Sequence, residues 1–319
     1  LKRTTTSKMT DPNPFHAYFH NVPISDLVKI GDIKFLSEDQ TLEVAMKLLS
    51  ENKILGAPVT NKTGQVLGMI DILDMVQFVI KVAPDAINMK LNPNALETSG
   101  RAIAWKPVGE VLNESGRDPL VPIYAENPTT NAIGYFAKGF HRSPIFDSDK
   151  KVVAMLTQTA IVARMAEMLK HGDNKAIAQR TLDSLGLGQV KPIAVKDTDT
   201  VLDALNAVGE NKVSAVAVVE ADTGKLCGNF SASDLRGVMA ERLPSFHKSV
   251  KDFLEEHSPR SMKPRAIYRD STLAACIEEL QTEKVHRVWV IDADYKPIGL
   301  VSNTDLMALA NNFANYAPK

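Results

Sequence analysis

The sequence predicts an α/β fold, more narrowly α+β, built from four copies of a βαββα unit arranged in pairs. Three observations predict it. The first is register. A two-residue mark opens a β-rich run at Leu55-Gly56, His141-Arg142, Ser214-Ala215 and His286-Arg287. From its first residue to a polar position after the next strand, at Asp71, Thr157, Ser231 and Ser302, the steps are 16, 16, 17 and 16 residues. A fixed period of this kind marks internal repeats, and such units must stack to bury their apolar faces. The second is a recurring helix start, Thr41, Asn127, Thr200 or Thr272 ahead of apolar positions at helical spacing. The third is the close of each unit, where Asp74, Ala160, Asp234 or Asp305 stands three residues into a second helix.

Composition sets limits on function. Apolar residues make up 44% and charged residues 24%, ordinary globular values. A formal net charge of -1 argues against nucleic acid or an anionic membrane as partner. Cys227 and Cys276 make neither a disulfide framework nor a metal cluster. They suit a reducing setting, so a cytoplasmic or nuclear location is expected. No apolar run approaches the ~20 residues of a membrane span. The opening Leu-Lys-Arg-Thr-Thr-Thr-Ser-Lys has no apolar signal core and reads as a trimmed start or a disordered tail.

Taken in order, residues 1–21 are expected as a disordered or short helical tail, aromatic from Phe15 to Phe19. Residues 22–178 form a first module, with repeats at about 22–84 and 105–170. Residues 179–319 form a second, with repeats at about 185–243 and 258–313. In each repeat the first helix runs from its cap to Asn52-Lys53, Gly139, Asn211-Lys212 or Glu283-Lys284. Pro128 falls at the first helical position, where the missing N–H does no harm. Two strands follow, and a last helix opens at Ser-x-x-Asp or its equivalent. Linkers fall near 84–100, 171–189 and 243–265; the glycines Gly172, Gly186 and Gly188 put the module boundary in the middle one. The pattern from Ile87 to Ala104 leaves helix and loop both open.

These strand-helix-strand-strand-helix repeats, each closing on Gly-x-apolar-Ser/Thr-x-x-Asp, resemble cystathionine-beta-synthase (CBS) domains. The resemblance implies four CBS repeats paired into two pseudo-twofold Bateman modules forming a disk. The order of marks, His141-Arg142 in the second repeat, Ser214-Ala215 in the third and His286-Arg287 in the fourth, resembles the gamma regulatory subunits of AMP-activated protein kinases. Leu55 and Thr159 depart from that pattern, where such subunits carry a basic residue and a lysine.

The resemblance implies a nucleotide site that makes no bonds. An ionised Asp in the first turn of a helix can accept both vicinal hydroxyls of a ribose. The Ser or Thr before it, with the free N–H groups of the helix start, offers donors to phosphate. The His-Arg pair of the facing repeat supplies cations, and the planar fork of Arg fits phosphate best. The expected pockets join Asp234 and Ser231 with His286 and Arg287, Asp74 with His141 and Arg142, and Asp305, Ser302, Asn303 and Thr304 with Ser214 and Ala215. Leu120 and Val121 are expected as further nucleotide contacts of the first module. The fourth combination, Ala160 with Leu55 and Gly56, has lost both halves of the chemistry. Asp71 adds a second carboxylate beside Asp74 where the family carries a hydroxyl, so that pocket is expected to be weak. The Asp234 pocket is expected to be the principal site and the Asp305 pocket the second.

A competing reading needs no ligand. Ser-x-x-Asp at a helix start is also a capping box, and His141 and His286 at strand edges also serve as structural histidines. No Walker A loop, His-Glu-x-x-His, Gly-x-Ser-x-Gly or Cys-x-x-Cys occurs, and no catalytic activity is expected. The expected function is a regulatory subunit that senses AMP, ADP and ATP, with a Ser/Thr kinase catalytic subunit and a scaffold subunit, or a second copy of itself, as partners. The alternative is a stand-alone CBS-domain protein that binds adenosyl ligands and regulates another enzyme or a transporter. A third possibility is an interaction protein with empty pockets.

Overall fold

The computed structural model describes residues 13–31, 33–82, 93–238 and 240–313. It contains four three-stranded sheets of identical order. The first joins β1 (Leu36–Ser37), β2 (Gly56–Thr60) and β3 (Val66–Asp71), and the second joins β4 (Ile123–Tyr124), β5 (Arg142–Phe146) and β6 (Val152–Thr157). The third joins β7 (Ala194–Lys196), β8 (Ala215–Val219) and β9 (Leu226–Ser231). The fourth joins β10 (Ala266–Ile267), β11 (Arg287–Ile291) and β12 (Pro297–Ser302). In each, the short first strand runs parallel to the second and the third antiparallel, as the βαββα unit requires.

The sequence register has a plain physical cause. The second residue of each mark sits directly across the hairpin from the polar position: Gly56 from Asp71, Arg142 from Thr157, Ala215 from Ser231, Arg287 from Ser302. The carbonyl of the first residue then accepts the N–H of the next residue, as from Ile72 to Leu55 and from Asn303 to His286, both at 3.0 Å. Every hairpin carries its irregularity at the same place, between Val59 and Thr60, Ile145 and Phe146, Val218 and Val219, and Val290 and Ile291.

Thr41, Thr200 and Thr272 cap the helices Leu42–Glu51, Val201–Glu210 and Leu273–Thr282 through their side chains. The corresponding helix of the second repeat begins at Thr129 and runs to Phe136, with Pro128 as its cap residue. Asn127 is therefore not its cap; its side chain accepts the Tyr124 N–H instead. At the far ends, Lys53, Lys212 and Lys284 take positive φ near 50°, and Gly139 takes 100°. These left-handed residues turn the chain from helix into strand.

The third repeat departs from expectation at its close. Instead of a helix, Ser231 opens a single 3-10 turn, Ala232–Leu235. The chain then swings away at Gly237 (φ 76°), where a Cβ would lie 2.9 Å from the Ser50 hydroxyl. Close approach to the first repeat ends the helix there. The open question over residues 87–104 resolves in part: Pro93–Ala104 is a helix, and the residues before 93 lie outside those described. Of the expected tail, residues 1–12 also lie outside them, whereas Pro14–Phe19 is a helix with Phe15 and Phe19 fully buried. Asn13 anchors it by donating to the Ala310 carbonyl at 2.8 Å.

Within each pair the lead-in to one repeat bonds to the helix start of the other. The Ile24 N–H donates to the Asn127 carbonyl, and the Leu42 N–H donates to that of Lys106. In the second module Leu182 donates to Ser271, and Val201 donates to Lys248. Burial follows a different pairing. One apolar core joins the first and third repeats, with Leu49, Ile70, Val216 and Phe230 among its members. Another joins the second and fourth, with Phe136, Ile161, Cys276 and Leu306. The tightest crossing lies at Gly188 and Gly299: a Cβ on Gly299 would come within 1.8 Å of the Gly188 carbonyl oxygen.

Candidate functional site

The four helix starts that close the repeats present Asp74, Ala160, Asp234 and Asp305. The three carboxylates share one use. Each accepts the backbone N–H of the residue three positions earlier at 2.7 Å, namely Asp71, Ser231 and Ser302. The capping reading is thus correct for all three. What distinguishes them is the second oxygen.

Asp74 gives its Oδ1 to the Ser115 N–H at 2.8 Å. Asp71 lies against it and accepts the Asp74 N–H at 2.9 Å, and both carboxylates are buried. Burial, and then the charge of Asp71, pushes the Asp74 carboxyl up to about 7. Burial likewise raises Asp71, so the pair holds a proton far above the ordinary carboxylate range. Asp234 gives its Oδ1 to the Ser261 hydroxyl at 2.5 Å, while its Oδ2 also accepts the Ser231 hydroxyl at 2.9 Å. Burial raises its pKa, opposed by hydrogen bonds from Ser261, Ser231 and Ser258. Asp305 is half-buried; its Oδ2 takes both donors of Ser302, and its Oδ1 has no partner among the described residues. Both oxygens of Asp234 thus already hold a donor, whereas one oxygen of Asp305 holds none among the described residues.

The marks of paired repeats lie against each other. Arg287 donates from Nη2 to the Ser214 hydroxyl at 2.6 Å. Arg142 passes over Gly56, where a Cβ would lie 2.8 Å from its Nη1. Glycine at that position gives the guanidinium its path. Ala215, the first residue of β8, is buried. Asn303 and Thr304 face the second repeat: Asn303 donates to the Thr159 hydroxyl at 3.3 Å and the Thr304 hydroxyl accepts from Gln158 at 2.9 Å. Asn303 is 2% exposed. Thr304 keeps its own hydroxyl proton to donate. Val121 supplies its carbonyl to the Ser143 hydroxyl at 3.0 Å, with half-buried Leu120 beside it.

Cationic groups from both modules converge between these pockets. Burial draws Arg287 down to about 10, with repulsion from Arg117 adding to it and Asp234 and Asp305 opposing. Burial pushes His286 down to about 4, helped by Arg287, Arg142, His141 and Arg236. His286 is thus neutral at pH 7, and the expected pair of cations is one cation beside a neutral imidazole. Two members escape a reading of sequence alone. Arg117 lies in a Gly-Arg-Asp turn with no motif of its own; its Nη2 meets His141 Nε2 at 3.0 Å. Arg236 reads as a solvated surface residue, but its Nε is buried without a hydrogen-bond partner. Its place two residues beyond Asp234 was the available signal.

Four sheets of one order, paired by exchanged lead-ins and carrying a carboxylate at three of four helix starts, define a CBS-repeat protein. The CBS domain model matches residues 24–81, 187–241 and 250–312, and the chain belongs to that family. The second repeat lies outside those ranges but has the same sheet. Protein SDS23 of Eremothecium gossypii is 22% identical over 296 residues, 86% of this chain and 60% of that protein. The 5'-AMP-activated protein kinase subunit gamma of Dictyostelium discoideum is 24% identical over 306 residues, 92% of this chain and 51% of its own length. The chain thus spans little more than half of these two relatives. The SNF1-related protein kinase regulatory subunit gamma-like PV42a of Arabidopsis thaliana is 24% identical, with 92% of this chain and 95% of that protein aligned. Among solved structures, protein MJ1225 of Methanocaldococcus jannaschii superposes with a TM-score of 0.69 at 16% identity, covering 90% of this chain and 99% of that one. That likeness concerns the fold. No described helix is long and apolar enough to cross a membrane.

Proposed function

We propose that this chain is a non-catalytic regulatory subunit that binds adenine nucleotides and controls a protein kinase. One observation carries the proposal: Asp305, with an open carboxylate oxygen, lies close enough to act electrostatically on a buried guanidinium, Arg287, whose hydrogen-bond partner is a neutral serine. A ribose on Asp305 and a phosphate on Arg287 would complete both. Ser302 and Ser214 lie within that pocket, and Thr304 has a hydroxyl proton to donate. AMP, ADP and ATP differ in the charge they bring to the central cations. A sensor responds only to the extent that its ligands bind its states unequally. The names of the Dictyostelium and Arabidopsis relatives support a kinase complex as the setting.

A second reading, a stand-alone CBS-domain protein regulating another enzyme or a transporter, is favoured by the SDS23 relatives, whose names specify no kinase. Calorimetric titration with AMP, ADP, ATP and S-adenosylmethionine tests the ligand class. Affinity capture followed by mass spectrometry separates the two settings. Recovery of a kinase catalytic chain is expected; its absence, with another enzyme or a transporter recovered, selects the second reading. Absence of binding to all four ligands rejects both.

A further inference from the structure

Asp118 occupies an unusual position. It is 4% exposed and lies between the two residues of the His141-Arg142 mark. Its Oδ1 accepts the His141 backbone N–H at 2.7 Å and sits 3.3 Å from His141 Nδ1; its Oδ2 lies 3.3 Å from Arg142 Nε. Its own N–H donates to the Asn113 side chain at 3.2 Å, which fixes the turn. We propose that Asp118 stands in for a ligand phosphate, holding the His-Arg pair of the first module so that its pocket rejects anionic ligands. This rests on the nucleotide-binding reading above and names which pocket departs from it.

The second module is an internal control. Ile123 and Ile267 hold the same register, each paired with the fourth residue of the following β-run, Ile145 and Val290. Counting back equally from these two isoleucines places Asp118 opposite Met262. Met262 packs as an apolar group against the core of the first and third repeats. Arg287, the counterpart of Arg142, accordingly has a serine partner and no carboxylate within ion-pair distance among the described residues. Asp118 against Met262 is therefore a difference of charge beside the paired arginines, separate from that of Asp71 against Ser231.

Charge accounting points the same way. Burial opposes ionisation of Asp118, but His141 and Arg142 outweigh it and hold its pKa below the ordinary value. Burial raises both Asp71 and Asp74, so that pair carries less than its full negative charge. Asp118 is then the ionised carboxylate set directly against Arg142, and removing its charge leaves that guanidinium without its ion-pair partner.

The test compares Asp118→Asn with the wild-type chain, titrated with AMP and with adenosine. Asparagine keeps the acceptor for the His141 N–H and removes the charge. One additional equivalent of AMP per chain, or AMP binding at least about tenfold tighter, is expected. Adenosine binding should be unchanged. The converse variant, Met262→Asp, should weaken AMP about tenfold at the second-module pocket with little effect on adenosine. It stands independently if Asp118→Asn does not fold. A folded Asp118→Asn chain with unaltered AMP stoichiometry and affinity overturns the proposal, as does Met262→Asp with unaltered AMP affinity. Wild-type binding of AMP with no gain in the variant defeats this proposal and leaves the nucleotide reading standing. No AMP binding by either chain defeats both.

Discussion

Arg287 in the fourth repeat and Ser214 in the third are joined by a 2.6 Å hydrogen bond across the second module. A buried cation whose partner is neutral gains most from an incoming anion, because charge-assisted bonds are the stronger kind. Arg287→Ala is expected to weaken AMP binding by about ten- to a hundredfold, from the ~1.5–3 kcal/mol of a charged hydrogen bond. Adenosine should lose far less. Equal losses for the two ligands in calorimetry would show that Arg287 holds the module together and does not read phosphate.

Asp305→Asn is expected to reduce nucleotide affinity more than Asp234→Asn does. Asp305 alone of the three carboxylates has an oxygen with no donor among the described residues; a ribose at Asp234 must compete with or share an oxygen with the Ser261 hydroxyl. Both variants weaken a helix cap, at a cost of about 1 kcal/mol, so thermal unfolding measured alongside separates stability from binding. A larger loss from Asp234→Asn would restore the ranking that the sequence suggests.

AMP binding should take up protons at His286. Burial is the main cause that draws its pKa down to about 4, well below the ordinary imidazole range. A phosphate beside it raises that value, so binding draws in a proton and tightens as pH falls from 8 toward 6. The phosphate itself titrates near pH 6, so the comparison is with His286→Gln. Calorimetry in buffers of different ionisation enthalpy should show a smaller uptake for the variant; equal uptake in both rules out His286 as the source.

Asp71→Asn should stabilise the ligand-free protein at pH 8. The folded-state pKa of Asp74, about 7, is raised above the unfolded value of 3.8. A raised value makes stability highest below about pH 3.8 and erodes it as pH rises through the folded pKa. Removing the charge of Asp71 relieves part of that loss, by about 1–3 kcal/mol or roughly 2–6 °C in Tm. The gain should shrink at pH 5, where the pair is already protonated. A gain independent of pH between 5 and 8 would mean that charge is not its cause.

Much of the fold was legible because it is repeated. One hairpin with Arg142 across from Thr157 gives little signal; four hairpins of matching length give a period. Three threonine caps were readable because their side chains act within the next turn. Long-range consequences were not. The 3-10 turn after Ser231 depends on the approach of Gly237 to Ser50, far off in sequence. Of the site, the positions of the carboxylates at the helix starts were readable, but the contact of Arg287 with Ser214 was not. Which oxygen of each carboxylate is taken depends on Ser115 and Ser261, which arrive from other elements. Arg117 and Asp118 gain their meaning only from the turn that places them against His141.

The two pairings, lead-ins within each module and cores between modules, link the four repeats into a closed circuit with no terminal member. Each unit is held by two neighbours through two different kinds of contact. Excising any one would strip a strand-like strap from one neighbour and bare the apolar face of another. Ligand chemistry and architecture can therefore drift apart over evolutionary time. The second repeat keeps its sheet and its share of the core although Ala160 stands where a carboxylate could be. A repeat in such a circuit can lose its ligand without becoming dispensable.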